Sequence, residues 1–322
     1  MRNSRTSTRW ARSLPTVEAV ISLVTDSYEL RPTQASLVRS FANDVYKINT
    51  SAGSYALKIY GSGRFTVDEV RWEQQFARHL VAAGLPTAAD VSLRNGDSVG
   101  SLDAPEGRRP FALTAWLPGD KPQPPWTETL YRSVGAALAQ LHDAADSFNS
   151  RFPRQSVRTG SEPEQVLAVL EDGSGRHELV QRTADAARTE LDQLAGQGLR
   201  WGLRHGDPSL DNININGSGR VCFYDLDLAG PGWQIEDLVG ALSTEFADPF
   251  LDGYVGVRPL PAVDLAALPW LRMLATIDNL KFHLIDKPAM FGSASITEGW
   301  VDGGFDALAR AARDAGLTDS RR

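Results

Sequence analysis

The chain has 322 residues, 42% of them apolar, a formal charge of −7 and one cysteine, Cys222. That length supports two lobes with separate cores, the acidic balance argues against a nucleic-acid partner, and no apolar run is long enough to cross a bilayer. A single cysteine inside a β-like run excludes an intramolecular disulfide framework, fits a reducing, cytoplasmic compartment, and reads as core.

Residues 1–13 carry Arg2, Arg5, Arg9 and Arg12 with no acid and no apolar segment behind them. They read as a disordered basic tail, not a secretory signal. After Pro15, the residues Val17, Val20, Ile21 and Val24 recur at helical spacing. Ser36–Phe41, Val45–Asn49 and Ser54–Tyr60 are β-rich, with a turn at Ser51-Ala52-Gly53. Alternation along Tyr55-Ala56-Leu57-Lys58 puts Ala56 and Lys58 on one face and Leu57 on the other. Thr66 with Glu69 three positions on forms a capping box, so a helix begins there. Trp72, Phe76 and Leu80 give it an apolar stripe, Glu73 borders the stripe, and Gly84 followed by Pro86 ends it. Phe111–Leu117 is an apolar run closed by Pro118-Gly119. Leu130, Val134, Leu138 and Leu141 mark an amphipathic helix ending in Leu141-His142. Asp146–Thr159 is polar and irregular, and residues 163–195 read as two helices split at Gly173-Ser174-Gly175.

The densest chemistry lies in Leu203–Asn212 and Val221–Asp227. Ile213–Asn216 and Val221–Asp225, joined by Gly217-Ser218-Gly219, read as a hairpin, which brings Asp207, Asn212 and Asp225 to one mouth. Oxygen ligands of mixed charge suit Mg²⁺, and a further carboxylate there can orient a hydroxyl and accept its proton. Gly230–Trp233 then reads as a turn, Glu236-Asp237-Leu238 as the start of an apolar helix, and Leu265–Phe282 and Phe305–Ala315 as helices. No Cys/His cluster suggests zinc.

The spacing of Asp207 and Asn212 is similar to the catalytic loop of protein kinases. With His205-Gly206-Asp207 and Asp225 in register, the chain resembles the aminoglycoside phosphotransferase and choline kinase family, from about Ser36 to Ala241. The resemblance implies an α+β, two-lobed protein-kinase-like fold. A small β-sheet-plus-helix lobe would span 14–118 and a mostly helical catalytic and acceptor lobe 119–322. It implies ATP, with GTP as the alternative, and Mg²⁺. It makes Asp207 the catalytic residue and Asn212 and Asp225 the metal ligands, with Asp227 ranked behind them. Lys58, paired with Glu73 (Glu69 being the alternative), would hold the phosphates, and Ala56 would leave room for adenine. The backbone at Ala115, Trp116 and Leu117 would be the hinge that bonds adenine. Ser40, Asn43 and Asp44 would lie in the phosphate-covering loop, which here lacks the glycine-rich pattern. His142 and Asp237 would be structural.

The resemblance implies an acceptor hydroxyl on a small molecule: an aminoglycoside-like antibiotic, in which case the role is antibiotic resistance, a natural product or a metabolite such as homoserine. A Ser/Thr side chain on a protein or peptide is the alternative, because Leu57-Lys58-x-Tyr60 and Tyr224–Asp227 are similar to bacterial stress-response kinases. A pseudokinase module that only binds nucleotide is the second alternative. Glu245, Asp248, Asp252, Asp302 and Asp306 would either face a cationic acceptor or form a solvated surface. The ending Thr318–Arg322 lacks the acidic-aromatic terminus some aminoglycoside kinases use.

Overall fold

The computed structural model describes residues 10–155 and 163–317. Most of the basic stretch, residues 1–9, and the ending Thr318–Arg322 lie outside the described residues.

Helix α1 (Val17–Ser27) starts at Thr16, whose hydroxyl accepts the Ala19 amide, and buries Val20 and Val24. Strands β1 (Pro32–Ser40), β2 (Asp44–Thr50) and β3 (Gly53–Ile59) follow as an antiparallel meander. Helix α2 (Val67–Ala82) carries the capping box between Thr66 and Glu69. That bond occupies Glu69 and leaves Glu73, one turn on, as the buried carboxylate of this helix. Strands β4 (Asp90–Val91), β5 (Gly100–Ala104) and β6 (Gly107–Ala115) complete a sheet of order β1-β2-β3-β6-β4, with β5 on β6. Ala35, Tyr46, Ile48, Leu57, Ile59 and Leu113 pack with Val20 and Val24 of α1, and with Tyr28 just after it, on one face. Because strand side chains alternate, Ala56 and Lys58 are left for the opposite face.

The chain continues through α3 (Glu128–Ala145), α4 (Pro163–Leu167), α5 (Gly175–Gly196), β7 (Trp201–Arg204), the hairpin β8 (Ile213–Ile215) and β9 (Val221–Phe223), and β10 (Gly230–Trp233). It closes with α6 (Ala247–Val255), α7 (Ala262–Lys281), α8 (Lys287–Phe291) and α9 (Trp300–Asp314). Its contacts divide it into two compact units. The first holds residues 1–126, 143–155 and 207–229, and the second holds 127–142, 156–206 and 230–322. On this division the hairpin that carries Asp207, Asn212 and Asp225 clusters with the sheet, although the sequence reading drew a continuous boundary at 118/119.

Three expectations are corrected. Gly230–Trp233 is not a turn but a strand paired antiparallel with β7. Its glycines read as turn residues, yet Gly232 is a glycine because a Cβ there would lie 2.2 Å from the Arg204 side chain. Gln234–Leu238 is a five-residue 3₁₀ helix and not the beginning of an α-helix. The basic stretch does not run as a free tail to residue 13. Arg12 pairs with the buried Asp44, Arg109 donates to the Ser13 carbonyl at 2.9 Å, and Tyr46 donates to the Pro15 carbonyl at 2.7 Å.

In the second unit, α3 and α6 approach to backbone contact: a Cβ on Gly135 would meet the Phe250 carbonyl at 2.1 Å, and one on Gly253 the Arg132 carbonyl at 2.0 Å. His142 lies fully buried there, bonded to the Tyr254 hydroxyl at 2.8 Å and to Asp237 at 3.1 Å. It is a packed histidine.

Candidate active site

Lys58 is the centre of the first unit's open face. Its Nζ lies 2.5 Å from Asp225 Oδ1, 3.5 Å from Asp227 Oδ2 and 3.6 Å from Glu73 Oε1. The expected Lys58–Glu73 pair is present, but Asp225 is the nearer partner. Burial alone would lower the pKa of Lys58; the three carboxylates outweigh it and hold the value well above the ordinary lysine range. Burial raises the pKa of Glu73, opposed by Lys58.

The hairpin positions the remaining carboxylates. Asn212 is buried, and its Nδ2 donates to Asp207 Oδ2 at 2.8 Å and to the Asp207 carbonyl at 3.1 Å. Tyr224 N–H donates to the Asn212 carbonyl at 3.0 Å, which sets Asn212 against the residue preceding Asp225. Asp225 has φ +61°, the sole non-glycine residue with positive φ among the described residues. Aspartate tolerates this left-handed region better than most residues, and such outliers gather at functional sites. Its carboxylate does not cap the turn that follows; it reaches Lys58. Asp227 is more enclosed: Asn43 Nδ2 donates to it at 2.7 Å, and Arg64 lies 3.5 Å away.

Glu73, Asp225 and Asp227 share one ammonium within 3.6 Å, and Arg64 lies 3.5 Å from Asp227. With its amide NH₂ turned to Asp207, Asn212 keeps its carbonyl oxygen as a donor for a cation. A carboxylate and a carboxamide oxygen fit a hard divalent cation. Among the described residues no cluster of three His, Cys, Asp or Glu side chains forms a closed metal cage. The donors suit an ion that completes its shell from phosphates and water.

A cavity of about 490 Å³ opens above these groups, lined by Ala56, Lys58, Ala115, Trp116, Leu117 and Asp225 among others. That volume is within the range of small-molecule sites. The amides of Ala115 and Trp116 are spent inside the sheet, on the carbonyls of Ala89 at 2.8 Å and Ser54 at 3.0 Å. Of the three residues, Leu117 is the one whose amide is not bonded in this way. Ser40 and Asn43 do not line the cavity. Ser40 donates to Asp44 at 2.8 Å, while Asn43 bridges Asp227 and the Gly61 amide. Asp44 is enclosed by Arg109 and Arg12. Arg39 and Lys47 line the cavity instead, with Lys47 4.6 Å above the Trp116 ring. Lys47 was overlooked in the sequence, although it pairs with Ala56, and Val45 with Lys58, across β2–β3. Cross-strand alternation was the available signal.

In the second unit, Asp237 accepts the amides of His205 and Gly206, the two residues before Asp207, the latter at 2.9 Å and the former at 2.6 Å. Burial would raise its pKa, but the His142 hydrogen bond and the charge of Arg204 bring it below the ordinary carboxylate value. Glu245, Asp248, Asp252, Asp302 and Asp306 are all exposed, and Asp252 and Asp302 pair with Arg132 and Arg176. They form a solvated surface. Cys222 is fully buried with its thiol pKa raised by burial, as a core residue should be.

Residues 34–268 match the model of the phosphotransferase enzyme family. A homoserine kinase of Xanthobacter autotrophicus is 30% identical over 259 residues, covering 76% of this chain and 77% of the relative. An amicoumacin kinase solved with AMP-PNP, Ca²⁺ and Ami superposes with a TM-score of 0.78 at 21% identity, over 94% of each chain. A microcompartment-associated aminopropanol kinase superposes with a TM-score of 0.72 at 19% identity, covering 93% of this chain and 98% of the other. The fold is the protein-kinase-like fold that the sequence implied. The chain belongs to the phosphotransferase enzyme family, and as an enzyme it is a kinase.

Proposed function

We propose that this protein transfers the γ-phosphoryl group of ATP to a hydroxyl of a small molecule. The observation that carries the reading is the Lys58 cluster: one ammonium within 3.6 Å of three carboxylates at the floor of a nucleotide-sized cavity, with Asp207 tied to Asn212 beside it. Asn212 and Asp225 would hold Mg²⁺, which supplies neutralisation of the charge on the phosphates when bound. Adenine lies against Ala56 and takes its hinge bond from the Leu117 amide. Lys58 holds the phosphates, kept in place by Glu73. Asp207, exposed and held by Asn212, orients the acceptor hydroxyl. The bond from the acceptor oxygen to phosphorus forms as the bond to the ADP oxygen breaks, and the hydroxyl proton passes to Asp207.

The names of the relatives point to the acceptor class. Homoserine and aminopropanol are amino alcohols, and amicoumacin kinase is named for a small molecule, so we assign the acceptor to hydroxylated small molecules that carry an amine. None of these names supports a polypeptide acceptor. The test is transfer of label from ATP radiolabelled at the γ-phosphoryl, with Mg²⁺, to parallel panels of amino alcohols including homoserine, amine-bearing antibiotics and a Ser/Thr peptide mixture. Label on a small molecule is the expected result, and label on polypeptide alone refutes the assignment.

A further inference from the structure

Arg154 lies in the irregular stretch after α3, in which the sequence reading found no function. Its stretch is tethered to α2 from the outside: Ser150 donates to Gln75 at 2.7 Å, and the Phe152 amide donates to Ser150 at 3.1 Å. From there Arg154 reaches the loop that carries Asp225. Its Nε donates to the Ala229 carbonyl at 2.7 Å, and its Nη2 donates to the Asp227 carbonyl. These carbonyls close the short turn Leu226–Leu228 that starts at Asp225. The end of so short a turn leaves carbonyls without partners of its own, and a cation suits the negative end. The guanidinium also lies 5.0 Å from the Phe65 ring and 5.3 Å from the Trp72 ring. Phe65 precedes the cap of α2, and Trp72 is the neighbour of Glu73 within it. Both rings are themselves held, Phe65 edge-on to Tyr60 at 5.9 Å and Trp72 against Phe76 and Phe148 at 5.3 Å each.

We infer that Arg154 is a positioning residue for the metal-binding loop, a clamp that joins the turn behind Asp225 to the helix that carries Glu73. It touches neither nucleotide nor acceptor. One planar fork bonds two carbonyls while its faces meet two aromatic rings, a combination a lysine cannot reproduce. The strained backbone of Asp225 needs such support, because a left-handed aspartate is retained only where its surroundings fix it. The charge of Arg154 also counters, after that of Lys58, the burial that raises the pKa of Glu73. Side chains that orient a ligand from behind commonly change metal affinity or activity about 10–100-fold when removed.

The inference rests on the phosphotransferase reading, and its test separates the two. ADP affinity is measured by calorimetry with and without Mg²⁺ for wild type, Arg154→Ala and Arg154→Lys, and amide exchange is followed across 225–229 in nucleotide-free protein. Wild type should bind ADP more tightly with Mg²⁺. Arg154→Ala should lose about tenfold or more of that gain, keep its metal-free ADP affinity, and exchange faster across 225–229. Arg154→Lys, which keeps the charge and the stem should the alanine variant not fold, should recover only a minor part. Full Mg²⁺ gain with wild-type amide exchange in Arg154→Lys overturns the clamp while leaving the phosphotransferase reading intact. No Mg²⁺ gain in wild type overturns the reading, and the clamp with it.

Discussion

Asp44 and Lys58 sit one register step apart across β2–β3, since Asp44 pairs with Ile59 and Val45 with Lys58, yet they belong to opposite kinds of charge cluster. Around Asp44 two acids meet two bases: Arg109 and Arg12 bind Asp44, and Arg109 also reaches Glu106 at 3.4 Å. Asp44 and Arg109 are sealed from solvent, and nothing further is required there. Around Lys58 three acids crowd one ammonium beside an open cavity. The first cluster is complete as architecture. The second is open to a ligand, since Lys58, Glu73 and Asp225 all line the cavity. Burial of charge alone therefore does not mark function. A charge cluster that faces open space does.

Substitutions in the two clusters should separate stability from activity. The largest effect is expected at Arg109→Met, which strands Asp44 without its main partner. Removing one member of a buried ion pair costs about 3–5 kcal/mol, visible as a large fall in the denaturation midpoint, while the fraction still folded should keep its turnover per site. A variant with unchanged stability would show that the two clusters are not opposites. Next comes Lys58→Met. Transfer per folded molecule should fall about 10²–10³-fold, as on losing one preorganised charge from a reaction site, and stability should fall as well, because Glu73, Asp225 and Asp227 lose the ammonium they share. Unchanged transfer by the folded fraction would place Lys58 among the structural residues.

The smallest effect is set by pH. The folded-state pKa of Asp237 is lowered from 3.8. The carboxylate therefore contributes stability above that ordinary value, and the contribution is lost as pH falls below it through the folded pKa. Asp237→Asn should cost about 1–3 kcal/mol near neutrality, and the difference from wild type should shrink in acid, below the ordinary carboxylate value. Chemical denaturation near neutrality and in acid measures it. A difference that does not narrow in acid would mean that Asp237 acts through its shape, not its charge.

Much of this was legible in the chain. The capping box at Thr66 and Glu69 fixed the start of α2 because it is a local bond, and alternation in β3 put Lys58 on the open face because period two is a property of any strand. Asp207, Asn212 and Asp225 were found by spacing within one hairpin. The contacts that escaped notice are long-range. Asn43 meets Asp227, Arg109 meets Asp44, and Arg154 meets Ala229, each across stretches with no periodicity that relates them. Ser40 bonds Asp44 and Asn43 bonds Asp227, because a loop's position does not tell whether its polar side chains face a ligand or a buried acid. Gly232 passed for a turn residue because close packing on Arg204 selects glycine as strongly as a turn does.

The central claim is that Asp207 serves the transferred group and not the nucleotide. The direct measurement is phosphoryl transfer by wild type and Asp207→Asn to the first acceptor found, with ADP affinity measured on the same preparations. The account predicts a fall in transfer of about 10²–10⁴-fold, the usual worth of a positioned general base, with ADP affinity unchanged. Wild-type transfer by Asp207→Asn would contradict it.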